Sequence, residues 1–395
     1  MFSRIALQLH GESNALYKIR NELKDEGHEI RDLISGNIND QDFIFPQDVL
    51  EEILVRASRQ CQVYRPDSFG QLPAREAISQ YYRSCGHDIG ADRILITPGT
   101  SLSYWYCFKL LADEGDEFLC PCPSYPLFDY IALLSGVKLV PYRLRESRSW
   151  DLNIDELEAC ISTRTRAIVL ISPHNPTGHV ASYDELAAMA EVARRHDLAI
   201  ISDEVFSEFL LGDQALPRPI DCAAPLTFTL NGFSKMFALP GLKFGWMAVS
   251  GDPDKVRQSL RSLELISDTF LPVSEIVQAS APSIFEYGKE IRIDFARRIR
   301  ECWKIADGFL SKFKCCSYAK PDGGFYVTLN TGGLEEETAA EQILRNNHIL
   351  IHPGYFYDMN PNHLILSFVQ TPETIRSLFP ELLGTLDGFG KGGLK

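Results

Sequence analysis

Between residues 93 and 251 the chain repeats one pattern: a short, nearly uninterrupted apolar run, then a stretch with helical spacing. The runs are "RILITP" (93–98), "EFLCPC" (117–122), "KLVPY" (138–142), "AIVLISP" (167–173), "LAIISD" (198–203), "LTFTLN" (226–231) and "GWMAVSG" (245–251). A strand with one wet face alternates apolar and polar residues. These runs do not, so both of their faces must be covered. Stretches such as "SYDELAAMAEVARRHD" (182–197) supply the covering helices. The expected fold class is therefore α/β: a mainly parallel seven-stranded sheet with helices on both faces.

The rest of the chain reads differently. Residues 253–312 carry long helical patterns. Beyond them "GGFYVTL" (323–329), "ILIHPG" (349–354) and "HLILSF" (363–368) indicate a smaller α+β layer. At 395 residues the chain exceeds the usual size of a single core. The expected division is an N-terminal arm (1–30), a large domain (31–275) and a small C-terminal domain (276–395). Segments 14–33, 45–60 and 72–86 read as helices, the last stopped by Gly86, and the glycine-rich tail 388–395 reads as frayed.

Charge and cysteine usage narrow the function. The net charge of −14 argues against nucleic-acid or anionic-membrane surfaces, while leaving room for a local basic pocket. None of the ten cysteines forms a CxxC pair, so a zinc ribbon or thioredoxin-type motif is not expected. With no long apolar stretch, the expectation is a cytoplasmic protein without a membrane span or a metal site.

In open parallel sheets ligands bind outside the carboxyl ends of the strands. Four such ends carry unusual chemistry. "AIVLISP" runs into "HNPTG" with Asn175; "LAIIS" ends in Asp203 and Glu204; "LTFTLNGF" ends in Ser234 and Lys235; "RILITP" runs into Gly99, Thr100 and Ser101 at a helix start. The last is an anion site in outline. One ligand could use all four: a phosphate for Gly99, Thr100 and Ser101 with Lys243, a protonatable ring nitrogen for Asp203, a phenolic oxygen for Asn175 and an aldehyde for Lys235. Pyridoxal 5'-phosphate has those groups. A carboxylate beside the ring nitrogen keeps it protonated and makes the ring an electron sink. Taken singly, each of these residues is an ordinary cap, turn or surface residue; their joint order makes the argument.

The motifs "YRPDSFGQLPAREAI", "TPGTSLSYW", "CPSYPLFDY", "PHNPTG", "SDEVF", "NGFSKMFALPGLKFGW" and "GGFYV" follow in an order that resembles the fold-type I pyridoxal-phosphate enzymes of the class I/II aminotransferase family. The resemblance covers roughly residues 30 to 385. It implies that Lys235 forms the internal aldimine and moves the proton, that Asp203 binds the ring nitrogen, and that Asn175 binds the ring oxygen. It also implies that Tyr125 stacks on the ring, and that Thr100, Ser101 and Ser234 hold the phosphate with Lys243. Tyr64 stands where the family sends a tyrosine to the neighbouring subunit's phosphate, which implies a homodimer with shared sites. His174 and His352 read as structural.

Three positions depart from that family. Lys243 replaces an arginine and offers a charge without a bidentate fork. Phe206 replaces a tyrosine that donates to the ring oxygen, so the Schiff base is expected to keep its proton to higher pH. Ile365 stands where the family has the arginine that clamps the substrate's carboxylate, and an apolar residue cannot do that. Arg65, Arg31 and His352 are the available substitutes, with Asn175 placed for one carboxylate oxygen. The leading expectation is an aminotransferase moving an amino group from an amino donor to an oxo acceptor. Elimination, cyclisation or decarboxylation on the same cofactor stays open because of Ile365. A regulatory sensor would need a DNA-binding module, and a nucleotide-binding Rossmann enzyme would need a G-x-G-x-x-G turn that the first strand lacks.

Overall fold

The computed structural model describes residues 1–9 and 14–392. Strand β1 (Arg31–Asp32) lies outside the main sheet. The main sheet contains β2 (Ile94–Thr97), β3 (Glu117–Cys122), β4 (Lys138–Glu146), β5 (Trp150–Leu152), β6 (Thr165–Ile171), β7 (Ala199–Asp203), β8 (Leu226–Gly232) and β9 (Gly245–Gly251). Their order is β2-β9-β8-β7-β6-β3-β4-β5. All seven apolar runs are in it, and the short β5 extends one edge by pairing antiparallel with β4. β8, β7, β6, β3 and β4 run parallel, while β9 is antiparallel to both of its neighbours.

The absence of alternation in the sequence has its cause in the layers. Every residue of β2, β7 and β8 is buried. Val169, Ile201, Phe228 and Met247 join one core beneath the helices Thr100–Leu111 and Pro253–Phe270. Ile168, Leu170 and Ile200 point the other way into a core shared with the C-terminal part of the chain. The helix Tyr183–His196 that links β6 to β7 starts with a capping box: the Ser182 hydroxyl accepts from the Glu185 amide, and Glu185 accepts from the Ser182 amide.

The helix Glu275–Leu310 (36 residues) spans about 54 Å and leads to the smaller layer. That layer holds β10 (Ser317–Tyr318), β11 (Tyr326–Asn330), β12 (Ile349–Leu350), β13 (His352–Pro353) and β14 (His363–Ser367). β10, β11, β14 and β13 form an antiparallel sheet, and β12 pairs in parallel with β1. Leu33 and Ser367 bridge the two by a backbone bond of 2.6 Å.

Two expectations are corrected. The first predicted helix covers only Ala15–Asp25, because Gly27 turns the chain at φ +89° and the following residues are drawn into β1. The tail is helical through Gly392, since Leu382, Leu383 and Leu386 are buried against the small-layer core; residues 393–395 lie outside the described ones. No helix among the described residues is long and apolar enough to cross a membrane.

Candidate active site

The carboxyl ends of the parallel strands open onto a cavity of about 730 Å³. Thr100, Ser101, Tyr125, Asn175, Asp203, Phe206, Lys235 and Lys243 all line it. Gly99, Ser234 and Tyr64 do not. Gly99 is the cap of the helix Thr100–Leu111 at φ +122°, and Tyr64 is on the surface at 65% exposure.

Each strand places its side chain by a local device. β7 ends in Asp203, whose Oδ1 accepts from the Val205 amide at 3.1 Å and whose Oδ2 accepts from the Tyr104 hydroxyl at 3.0 Å. Burial raises this carboxyl to about 6, against the pull of those two bonds. β8 passes through Gly232 into the four-residue helix Phe233–Met236, which carries Lys235. Burial lowers the Lys235 ammonium to about 8, and its Nζ donates to the Gly36 carbonyl. The loop after β6 carries Asn175, whose Oδ1 is buried with no hydrogen-bond partner among the described residues. A buried polar atom left unpaired is costly, and a side-chain amide can present either a donor or an acceptor to whatever occupies the cavity.

The helix N-terminus at Thr100 sits close against β9. A Cβ at Gly245 would come within 2.8 Å of the Gly99 Cα, so glycine there lets the two backbones meet. Lys243, in the left-handed region at φ 51°, follows the turn Pro240–Leu242 and returns its side chain to the cavity.

The residues present fit pyridoxal 5'-phosphate: a buried carboxylate, an unpaired amide, a lysine of lowered basicity, an aromatic ring and hydroxyls at a helix start beside a second lysine. Among the described residues no cluster of His, Cys, Asp and Glu is arranged to hold a metal.

Sequence reasoning missed several lining residues. Tyr104 stands one turn into a helix, where an aromatic reads as core. Tyr17, Arg20, Asp32, Gly36, Tyr326 and Tyr357 reach the cavity only because the N-terminal helix, β1 and the small layer close over the sheet. His352 also lines it, between the hydroxyls of Tyr17 (2.9 Å) and Tyr357 (3.1 Å), and burial lowers it to about 4. His174 bonds Thr177 at 2.9 Å outside the cavity wall. The three departures have defined surroundings. Phe206 lies edge-on to Phe325 at 4.9 Å with its ring at the wall. Ile365 is fully buried in β14 opposite Thr328 and His352 and takes no part in the lining. Arg31 is held by both oxygens of Glu381 at 2.8 and 2.7 Å, and Arg65 is also absent from the cavity wall.

Comparison with known proteins identifies the family and the fold. A family model described as aminotransferase class I and II matches residues 31–381. Glutamate-pyruvate aminotransferase AlaA of Escherichia coli is 33% identical over 331 residues, 80% of each chain. Its Haemophilus influenzae counterpart is 31% identical over 356 residues, 86% of each. A crystal structure of an aminotransferase from Escherichia coli superposes with a TM-score of 0.87 at 27% identity, over 99% of this chain and 98% of that one. The alanine aminotransferase of Pyrococcus furiosus has the same fold, with a TM-score of 0.89 at 24% identity over 99% and 100% of the two chains.

Proposed function

The chain belongs to the class I and II aminotransferase family, and from that premise we propose that its cavity carries out transamination with Lys235, Asp203 and Asn175 as the catalytic residues. It is a pyridoxal-phosphate-dependent transferase that uses an amino donor and an oxo acceptor. The supporting observation is that Lys235 and Asp203 stand at neighbouring strand ends in one cavity, both moved by burial toward their neutral forms.

Bound pyridoxal 5'-phosphate supplies an electron-withdrawing ring that stabilises negative charge at the substrate's reacting carbon. The chain does the rest. Asp203, fixed by Tyr104 and the Val205 amide, pairs with the ring nitrogen and holds a proton there. Lys235 Nζ, neutral in a sizeable fraction near pH 8, would take a proton from the substrate's α-carbon and deliver it to the carbon that carried the cofactor's aldehyde, the 1,3-transfer that transamination needs. Asn175 orients the ring oxygen, and Tyr125 and Phe206 confine the ring. Thr100 and Ser101 at the helix start would hold the phosphate, with Lys243 as counter-charge.

The active unit in this reading is a homodimer, in which the exposed Tyr64 reaches the other subunit's phosphate. The large domain is 31–275 and the small domain 276–395, with 1–30 as an arm. The ten cysteines, with no CxxC pair among them, accord with a reducing compartment such as the cytoplasm. Alanine, glutamate and pyruvate, from the relatives' names, are the first substrates to test.

The test is the visible spectrum of the loaded enzyme during stepwise addition of one amino donor without acceptor. Transamination converts the cofactor to its amino form with one oxo acid released per site, and Lys235→Ala abolishes the conversion. Release of ammonia or carbon dioxide without oxo acid overturns the reading.

A further inference from the structure

In this cavity the substrate's carboxylate needs a cation, and the strand that would supply one carries Ile365, sealed in the core. Among the described residues, the cationic side chains that line the cavity are Arg20, Lys235 and Lys243. Under the proposed function, on which this inference rests, Lys235 and Lys243 serve the cofactor. His352 is sandwiched between two phenols and is held neutral by burial. Arg20 is left. Its guanidinium lies over the Tyr17 ring, 4.6 Å from the centroid, and that ring is fixed in turn by its hydroxyl's bond to His352. Nε and Nη2 of Arg20 donate to Asn21 Oδ1, and Nη1 has no partner among the described residues. A guanidinium preset on an aromatic face loses little freedom when it takes a carboxylate.

Among the described residues, one anion outside the cofactor set, Asp32, lines the same space. Asp32 uses Oδ1 to accept from the Ile34 and Ser35 amides, both at 2.8 Å, which holds the carboxylate in place. Its Oδ2 has no partner among the described residues. Tyr17 lies within electrostatic reach of both Arg20 and Asp32.

We propose that Arg20 binds the donor's carboxylate in place of the absent strand arginine, and that Asp32 disfavours a second carboxylate, so that monocarboxylic amino donors are preferred over dicarboxylic ones. The pair is a specificity device carried by the N-terminal helix and the first strand rather than by the small sheet.

The experiment measures binding of propionate and glutarate to the loaded enzyme by calorimetry, alongside half-reactions with L-alanine, L-glutamate and ethylamine. Arg20→Ala should weaken propionate and raise the KM for alanine roughly 10- to 100-fold, with kcat at saturation changed little. Ethylamine, which has no carboxylate, should be unaffected, and Arg20→Lys should recover part of the loss. Asp32→Asn should strengthen glutarate roughly 5- to 10-fold and leave propionate unchanged. A merely structural role for Arg20 would impair ethylamine as much as alanine and would overturn the assignment. So would unchanged propionate binding in Arg20→Ala, or tighter binding of glutarate than propionate by the unaltered enzyme. Oxo-acid release from any donor tests transamination separately, so the two readings can fail independently.

Discussion

Lys235 and Asp203 each carry a cost of burial that the folded protein accepts and the unfolded chain avoids. An unfolded lysine keeps its proton up to 10.5, whereas Lys235 loses it near 8. Between those values the unfolded chain binds the extra proton, so the cofactor-free protein gains stability as pH rises, and below 8 it bears the full cost. Lys235→Met should therefore stabilise the cofactor-free protein at pH 7 by about 3 kcal/mol and flatten the rise between pH 8 and 10.5, as read by thermal melts. Asp203 runs the other way: its carboxyl titrates near 6 instead of 3.8, so stability falls as pH rises through that window. Asp203→Asn should ease that fall yet lower kcat by about 10²- to 10⁴-fold, because the ring nitrogen loses its charged partner. At Phe206 the absent hydroxyl is testable by spectrum alone. Phe206→Tyr adds a donor at the cavity wall, and the visible absorbance of the loaded enzyme should titrate at lower pH than in the unaltered protein. No downward shift would show that the phenyl ring is not beside the ring oxygen.

Elements place these side chains, and two joints carry strain or load. Glu185 closes the capping box of Tyr183–His196, accepts from the Leu152 amide at 2.7 Å and pairs with His179 at 3.1 Å. Its carboxyl is held down at about 2, with His179 the chief opposing pull to its burial. Ser182→Ala should cost about 1 kcal/mol, a single cap, and Glu185→Ala about 2–4 kcal/mol because three partners lose their acceptor. Denaturant melts of the two variants separate the effects. The helix itself was legible in the sequence as the stretch 182–197. The use of Glu185 by β5 and His179 was not, since Leu152 and His179 come from other parts of the chain. The second joint is Gly245 against Gly99. Gly245→Ala would force a Cβ to within 2.8 Å of backbone, and should both destabilise the protein and weaken phosphate anchoring, seen as cofactor loss on dialysis. The strand ends with Asn175, Asp203 and Lys235 could be read in advance because a parallel sheet fixes where its carboxyl ends point. Tyr104 could not, because its helix position looks like packing.

At the scale of the molecule, the cavity is closed by parts distant in sequence: the helix Ala15–Asp25, β1, the sheet ends and the region around His352 and Tyr357. If Tyr64 completes a neighbouring site, the protein should sediment as a dimer, its melting temperature should rise with protein concentration, and Tyr64→Phe should loosen the cofactor with little change in the fold. The sequence by itself determined the layered α/β sheet, the cofactor and which residues stand at the strand ends, because these follow from local runs of residues and the direction of parallel strands. It also exposed the gap at Ile365. Only the tertiary structure decided which charged side chains line the cavity instead. Arg20 and Asp32 lie 345 and 333 positions from Ile365 along the chain, and no periodicity or motif relates them. They line one cavity because β1 pairs with β12 and folds the N-terminal segment over the carboxyl ends of the sheet.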